Sequence, residues 1–327
     1  MNQSLPIASV DLRDYRSTDP ARKQRFVRAL GDSFSSIGFA VVTGHDLDDA
    51  LQGRLFEQVQ RYFVLPTASK RTHEMPGLKG QRGYSAFGTE VAKSEVVADM
   101  KEFWQHGQTH ATDDALHGTE PSNVTVPELP DFTPTLKQVY EALERSGRDL
   151  LRALSLYLNL PEDYFDARIT GGSSILRPIH YPPIAEEPAS AVRAAAHEDI
   201  NLITLLMGAS SSGLEVLTKA GDWLPVQAPP GVLTINVGDM LQRLTNKRLV
   251  STTHRVVNPP RELWHTSRYS VPFFLHPRPE MDLSCLESCV DVQHPRQFES
   301  ITAGAYLAER LDEIRSEKRA EKSALKV

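Results

Sequence analysis

The chain has few cysteines, no excess of basic residues and no long apolar run. Its two cysteines, Cys285 and Cys289, are too few for a disulfide framework, so we expect reduced thiols. A formal net charge of -6 gives no general attraction to phosphate backbones or anionic lipid. No apolar run approaches the length of a bilayer span, and the polar start from Asn2 to Ser4 is unlike a secretory leader. We expect a cytoplasmic protein with a small-molecule partner and no affinity for nucleic acid or membrane; the oligomeric state stays open.

The composition is that of an ordinary globular protein with a sizeable core. Apolar residues make up 40% of the chain and charged residues 24%. The length of 327 residues allows one domain or two. Because no repeat and no low-complexity linker divides the chain, we expect a single domain over 1–327, with disorder only at its ends.

The first half, over 1–165, is expected to be mostly helical. Asp19 and Pro20 are typical of a helix start, Gly38 of a helix end, and apolar residues recur between them at helical spacing. The polar stretch from Lys70 to Arg82 predicts a surface loop. The predicted elements are a helix from Pro20 to Gly38, a strand from Phe39 to Thr43, a helix from Leu51 to Phe63 and a long helix from Pro134 to Leu160.

The second half changes to short runs of β-branched and aromatic residues bounded by Gly, Pro and Asn. This pattern is typical of an antiparallel sheet, which we place over 173–280. A last helix is predicted to open at Thr302, within 300–327, with Ile314 on its apolar face. The predicted strands are Ile200 to Leu206, Gly213 to Thr218, Trp223 to Val226, Val232 to Val237, Thr252 to Val257 and Tyr269 to Leu275.

A candidate metal site begins with a histidine and an aspartate two residues apart. Residues at this spacing on a strand point to one side, so His197 and Asp199 can approach the same ion. His254 follows 57 positions after His197, enough chain for another strand to return to that place. Two imidazoles and one carboxylate leave one face of a metal open, as in Fe(II) oxygenases. Taken alone, His-x-Asp is a weak pattern, and a strand histidine is more often a core residue.

A candidate carboxylate receptor follows His254. Arg268 and Ser270 share one side of a predicted strand. A guanidinium beside a hydroxyl can bind a carboxylate through bidentate hydrogen bonds. Taken singly, a surface salt bridge for Arg268 and a solvated strand position for Ser270 are the commoner roles.

Together these residues resemble one enzyme family. Their order and spacing are similar to those in 2-oxoglutarate-dependent dioxygenases of the isopenicillin N synthase-like group, over most of the chain and most strongly from Leu176 to Leu275. The motifs are Ile37-Gly38-Phe39, Gly44-His45, Gly83-Tyr84, Lys101-Glu102, Tyr181-Pro182-Pro183, His197-x-Asp199, Gly213-Leu214-Glu215-Val216, the run from Asn236 to Gln242, Thr245-Asn246, Ser251-x-x-His254-Arg255-Val256, and Arg268-Tyr269-Ser270 with Pro272-Phe273-Phe274.

The resemblance implies a fold and a function. The fold would be mainly β with flanking helices, around a double-stranded β-helix, or jelly roll. His197, Asp199 and His254 would bind Fe(II), while Arg268 and Ser270 would hold the distal carboxylate of 2-oxoglutarate. Such an enzyme uses O2 to hydroxylate, desaturate or cyclise a small molecule, releasing succinate and CO2.

Two further details follow from the resemblance. Tyr181 would contact the cosubstrate near the metal. Ahead of it stand Ile179 and His180, where plant members usually have Asn and Tyr, so the asparagine contact of those members is not expected here.

Candidate substrate contacts lie in segments expected over the mouth of the barrel. Aromatic residues at such positions more often pack in a core or lid, and a long cation such as Arg243 usually lies at the surface. Arg243 could nevertheless face an anionic substrate. The candidates are Tyr84, Phe103, Trp104, Arg243 and Phe274.

Two other functions fit the same residues. An oxidase similar to isopenicillin N synthase itself would use the Arg268 and Ser270 pair for the carboxylate of its substrate and consume no 2-oxoglutarate. A non-catalytic jelly roll that binds a metal or a ligand is the second alternative, although the complete ligand set and receptor argue against it.

Overall fold

A computed structural model describes residues 7–78, 81–90, 98–110, 114, 118, 120–188, 191–208, 212–226, 229 and 231–313. The predicted position of Ile314 lies outside these ranges. The helices are α1 (Leu12–Tyr15), α2 (Pro20–Ser36), α3 (Asp49–Phe63), α4 (Thr67–Arg71), α5 (Phe132–Tyr157), α6 (Asp166–Ile169), α7 (Asp239–Leu244) and α8 (Ala303–Glu313), with 3-10 turns at Pro76–Leu78, Arg261–Leu263 and Glu287–Cys289.

The described strands form two sheets. They are β1 (Ala8–Asp11), β2 (Phe39–Thr43), β3 (Gly83–Ser85), β4 (Glu102–Gly107), β5 (Ile175–Leu176), β6 (Ile179–Tyr181), β7 (Ala194–His197), β8 (Ile203–Met207), β9 (Leu214–Leu217), β10 (Trp223–Pro225), β11 (Leu233–Val237), β12 (His254–Val256), β13 (Arg268–Ser270) and β14 (Pro272–Leu275).

The larger sheet has the strand order β1-β2-β11-β8-β14-β5-β4-β6-β13, and β3 pairs with β4. The smaller sheet has the order β10-β9-β12-β7. All pairs are antiparallel except β1 with β2, which run parallel. The predicted mainly β architecture with flanking helices is therefore confirmed.

Capping side chains set the starts of α2 and α3, and a glycine sets the end of α2. The side chain of Asp19 accepts a hydrogen bond from the amide of Ala21 at 2.9 Å, and that of Asp48 from the amide of Leu51 at 2.7 Å. Gly38 ends α2 with a φ of 72°, and a side chain there would meet the carbonyl oxygen of Val250. Helix α5 packs against α2, α3 and β14, so it braces the larger sheet.

The stretch from Lys70 to Arg82 is only in part the surface loop that we predicted: Arg71, Thr72 and Met75 to Gly77 are exposed, but both ends of the stretch are not. Of its described residues, Lys70 and Arg82 are almost completely buried. Each charge has an acidic partner distant in sequence: Lys70 lies 2.8 Å from Glu102, and Arg82 lies 3.1 Å from Glu120. Polar composition predicted exposure because these partners cannot be recognised locally. Residues 79–80 lie outside the described ranges.

Two predicted strand boundaries also change. The run from Tyr269 to Leu275 is two strands rather than one, because β13 pairs with β6 while β14 pairs with β5 and β8. Strand β8 begins at Ile203 instead of Ile200. None of the described helices combines the length and the apolar character that crossing a membrane requires.

Candidate metal centre and cosubstrate pocket

Two histidines meet at the edge of the smaller sheet. Strand β7 ends at His197, strand β12 begins at His254, and the antiparallel register places these two residues opposite each other. Their ring centroids are 4.5 Å apart. A pairing made by the backbone therefore brings together two imidazoles that are far apart in sequence.

Asp199 completes the group from the turn after β7. Its Oδ1 atom lies 3.8 Å from Nε2 of His197 and 3.7 Å from Nε2 of His254. One ligand atom from each of the three residues lies within 4.8 Å of the other two. The three side chains therefore converge on a volume suited to a single ion.

The other ring nitrogens hold both imidazoles in one tautomer. Nδ1 of His197 donates to the carbonyl oxygen of Ala195 at 2.7 Å, and Nδ1 of His254 donates to that of Thr252 at 3.1 Å. A carbonyl oxygen only accepts, so the proton lies on Nδ1 in each ring. The Nε2 lone pairs are left to point at the shared volume, as metal-binding histidines require.

Asp199 is oriented by two residues that sequence reasoning missed. Its Oδ2 atom accepts hydrogen bonds from Oγ1 of Thr204 at 2.6 Å and from Nδ2 of Asn236 at 2.7 Å. Thr204 in turn accepts a hydrogen bond from Asn201 at 2.8 Å. Oδ1 therefore remains the atom that faces the histidines. Asn236 stands in a family motif, but nothing in the sequence assigned it this contact.

The surroundings of His197 and Asp199 favour the protonation states in which these residues bind a metal. Burial and the neighbouring imidazole of His254 lower the pKa of His197 to about 4. Burial acts to raise the pKa of Asp199, but the two histidines and the bonds from Thr204 and Asn236 outweigh it and lower that pKa. Near neutral pH the site presents a neutral imidazole at His197 beside a carboxylate. Two nitrogen donors and one oxygen donor suit Fe(II), with its opposite face open.

A buried arginine lies on the strand pair β6 and β13. The register places Arg268 opposite Tyr181 and Ser270 opposite Ile179, so Arg268 and Ser270 share one side of β13. Arg268, Ser270 and Tyr181 are all buried, and Cζ of Arg268 lies 4.9 Å from the centroid of the Tyr181 ring. Burial lowers the pKa of Arg268 from its ordinary value. This is a dry, cationic position suited to a carboxylate.

Comparison with known proteins agrees with this geometry. A family model described as the N-terminal region of the non-haem dioxygenase in morphine synthesis matches residues 7–128, and that of the 2OG-Fe(II) oxygenase superfamily matches residues 172–277. The chain is 32% identical over 323 residues to the proline hydroxylase buaE of Petromyces alliaceus, covering 94% of this chain and 99% of that protein. The chain belongs to the 2OG-Fe(II) oxygenase superfamily. It is therefore a 2-oxoglutarate-dependent, non-haem iron oxidoreductase, as the resemblance implied.

Solved structures of similar oxygenases support the same assignment. A 2OG-Fe(II) oxygenase family protein of Caulobacter crescentus is 42% identical, with a TM-score of 0.84 over 95% of this chain and 99% of its own. A full-length protein of Neurospora crassa, solved in complex with alpha-KG and thymine, is 26% identical, with a TM-score of 0.83 over 95% of this chain and 98% of its own. The expectation of a jelly-roll core is confirmed.

In this oxygenase a cavity of about 440 Å³ opens on the candidate metal centre. His197 and Asp199 line it, and so do two of the predicted substrate contacts, Arg243 and Phe274. Arg243 also donates to the carbonyl oxygen of Glu299, which ties it to the segment that leads into α8. The size of the cavity suits a small molecule.

The other three predicted contacts do not line this cavity. The hydroxyl of Tyr84 donates a hydrogen bond to the buried carboxylate of Glu102. The Trp104 ring packs in an aromatic cluster, with ring centroids 5.0 Å from Tyr62 and 5.1 Å from Phe132. Phe103 is buried beneath Arg177, whose Cζ lies 4.6 Å from its ring centroid. These aromatic residues have the packing roles that the sequence left open.

A charged wall of the cavity was not predicted. Nζ of Lys101 lies 2.8 Å from Asp99 and 3.0 Å from Glu90, and Glu90 also lies 3.3 Å from Nη1 of Arg177. Burial acts to raise the pKa of Glu90, but Arg177 and Lys101 outweigh it and lower that pKa to about 2. The wall therefore has two cations and two anions, paired with each other. The sequence placed Lys101 in a family motif and in a segment, Lys101 to His106, expected over the mouth of the barrel, but did not indicate its ion pairs.

Proposed function

We propose that His197, Asp199 and His254 bind Fe(II), that Arg268, Ser270 and Tyr181 bind 2-oxoglutarate, and that a small polar molecule is oxidised in the adjoining cavity. The convergence of the three ligand atoms at the cavity is the observation that carries the proposal. The buried guanidinium of Arg268 supports the cosubstrate assignment, because it shares one side of β13 with Ser270 and can bind a carboxylate through two hydrogen bonds.

The role of the protein side chains is to position the metal ion and the cosubstrate. Bound Fe(II) would let O2 act as the oxidant: O2 would take two electrons from 2-oxoglutarate, which becomes succinate and CO2, and two from a C–H bond of the substrate. Asp199 and the two histidines would hold the ion through one ligand atom each and would leave room for the cosubstrate beside it. Arg268 would orient the cosubstrate from its distal end, at a position where Arg268, Ser270 and Tyr181 are all buried from water.

The walls of the cavity support a substrate that is polar but carries little net charge. Lys101, Arg177, Glu90 and Asp99 satisfy one another, so a fully charged group would have to break an existing ion pair. A polar uncharged substrate can instead form hydrogen bonds with these four side chains while their ion pairs stay intact. The known complex of the Neurospora protein with thymine is an example of such a small polar ligand in a similar fold. Arg243 and Phe274, which also line the cavity, would supply further contacts.

The decisive experiment measures how much succinate the purified protein forms with each candidate substrate. Purified protein with Fe(II), 2-oxoglutarate and O2 is tested against a panel of small heterocycles, amides and amino acids, with succinate and oxidised product both quantified. We expect one compound class to stimulate succinate formation, with about one product per succinate. The His197→Ala variant should lose both, while a surface variant such as His294→Ala keeps both. Product formed without 2-oxoglutarate would favour the isopenicillin N synthase-like oxidase, and no turnover with any compound would favour a binding protein.

Three broader inferences accompany this function. We infer a single domain over 1–327, in which 1–165 packs on a jelly-roll core at 173–280 and 300–327 contributes the last helix. A cytoplasmic location stays a prediction of the sequence. So does the absence of nucleic acid and membrane partners, for which the net charge of -6 is the support.

A further inference from the structure

A second arginine is buried beside the proposed cosubstrate pocket. Arg193 immediately precedes β7 and is 1% exposed. Its Nη2 atom donates to the carbonyl oxygen of Thr266 at 3.2 Å, just ahead of β13. Its Nε atom is buried and has no hydrogen-bond partner among the described residues. Within those residues no carboxylate forms an ion pair with Arg193, so its charge lacks the usual compensation.

Arg193 and Arg268 approach the same aromatic ring. Cζ of Arg193 lies 6.0 Å from the centroid of Tyr181, and Cζ of Arg268 lies 4.9 Å from it. Burial and, to a smaller extent, the charge of Arg268 lower the pKa of Arg193 to about 10. Two like charges that are buried near each other destabilise a fold unless an anion joins them.

We propose that Arg193 supplies a second positive charge to the receptor for the distal carboxylate of 2-oxoglutarate, together with Arg268. This inference rests on the proposed function, because it assigns a residue to the same cosubstrate pocket. The Tyr181 ring lies near both guanidinium groups, so a bound anion would complete a cluster of two cations and one aromatic ring. The pocket would then discriminate strongly between 2-oxo acids with and without a distal carboxylate.

The competing role for Arg193 is purely structural. Its bond to Thr266 ties the segment before β7 to the segment before β13. If that were its whole role, substitution would disturb the pocket for every 2-oxo acid alike. The charge role instead predicts a loss confined to acids that have a distal carboxylate, and retention when lysine replaces arginine.

Calorimetry on anaerobic, Mn(II)-loaded protein separates the two roles without relying on turnover. 2-Oxoglutarate and 2-oxobutyrate, which lacks the distal carboxylate, are titrated into the wild type and into R193Q, R193M and R193K. We expect R193Q and R193M to bind 2-oxoglutarate about tenfold more weakly, the effect of one charge-assisted hydrogen bond, and to bind 2-oxobutyrate as the wild type does. R193K should stay within about threefold of the wild type. R193M leaves no polar side-chain group to be buried without a partner, so it gives a second variant if R193Q does not fold.

R82Q is the matched control, since Arg82 is equally buried but is paired with Glu120. It should bind both acids as the wild type does. The inference is overturned if R193Q and R193M bind 2-oxoglutarate normally, or if they lose affinity for both acids equally. A wild type that binds no 2-oxoglutarate in the presence of metal would instead overturn the proposed function and this inference with it.

Discussion

Asn236 donates a hydrogen bond of 2.7 Å to Oδ2 of Asp199, a residue 37 positions earlier in the chain. Together with Thr204, it occupies the carboxylate oxygen that faces away from the histidines. The bond therefore determines which oxygen of Asp199 is available to a metal. Partners of this kind orient metal ligands and raise their affinity.

Asn236→Ala should weaken metal binding without removing a ligand. We expect the affinity for Mn(II) or Fe(II) to fall about 10- to 100-fold, because Asp199 loses one of the two bonds that orient it. Anaerobic metal titration measures this directly. Asn123→Ala is the matched control, since Asn123 bonds the backbone of Gly107 instead. Unchanged affinity in Asn236→Ala would show that the carboxylate is held adequately by Thr204.

Arg177→Met should affect the substrate rather than the cosubstrate. Arg177 lines the cavity, lies over Phe274 with Cζ 5.1 Å from the ring centroid, and pairs with Glu90. With the compound that best stimulates succinate formation, we expect KM to rise about tenfold. Succinate formed without any substrate should stay within about twofold. A change in the KM for 2-oxoglutarate of the same size would contradict this assignment.

Trp104→Ala should destabilise the fold by about 3–5 kcal/mol, since a large, completely buried ring is removed from its cluster. Denaturant unfolding measures the loss, and Val292→Ala, at a side chain that is 99% exposed, should change stability by less than about 0.5 kcal/mol. Where the variant remains folded, the KM for substrate should be unchanged. A raised KM with unaltered stability would restore Trp104 as a substrate contact.

His106 should make the fold sensitive to acid. Burial, aided by Arg82 and Lys137, lowers its pKa to about 3, and neither ring nitrogen has a hydrogen-bond partner among the described residues. Between about pH 6.5 and pH 3 only the unfolded chain takes up this proton. The free energy of unfolding should therefore fall by about 1.4 kcal/mol for each pH unit below pH 6.5.

The contribution of His106 is isolated by difference, because other buried histidines, such as His276, titrate in the same range. Denaturant unfolding of the wild type and His106→Leu is compared at several pH values from 7 downward. The variant should lose less stability, so the difference between the two proteins should shift in favour of the variant as the pH falls. Parallel profiles would mean that His106 does not contribute.

The parts of the fold and site that could be predicted are those encoded locally. Helix α2 has its capping Asp19 and its closing Gly38 within one segment, and the two-residue spacing brings Asp199 near His197, although Asp199 lies just beyond the end of β7. His254 could be assigned to the metal site only from the family resemblance, because spacing alone could not show that β12 pairs with β7.

What could not be predicted depends on contacts between distant segments. The burial of Lys70 is possible only because Glu102 lies opposite it, and the parallel pairing of β1 with β2 has no local signature. Arg193 stands four residues before His197, yet nothing in its neighbours indicated that it would share Tyr181 with Arg268.

The most direct test of the central claim is an anaerobic titration of the protein with Fe(II) in the presence of 2-oxoglutarate, followed by visible absorbance. A 2-oxo acid that chelates ferrous iron through its keto and carboxylate oxygens gives a charge-transfer band. We predict that the band saturates at one equivalent of Fe(II) in the wild type and is lost in His254→Ala. No band in the wild type, or an undiminished band in His254→Ala, would contradict the assignment of this centre.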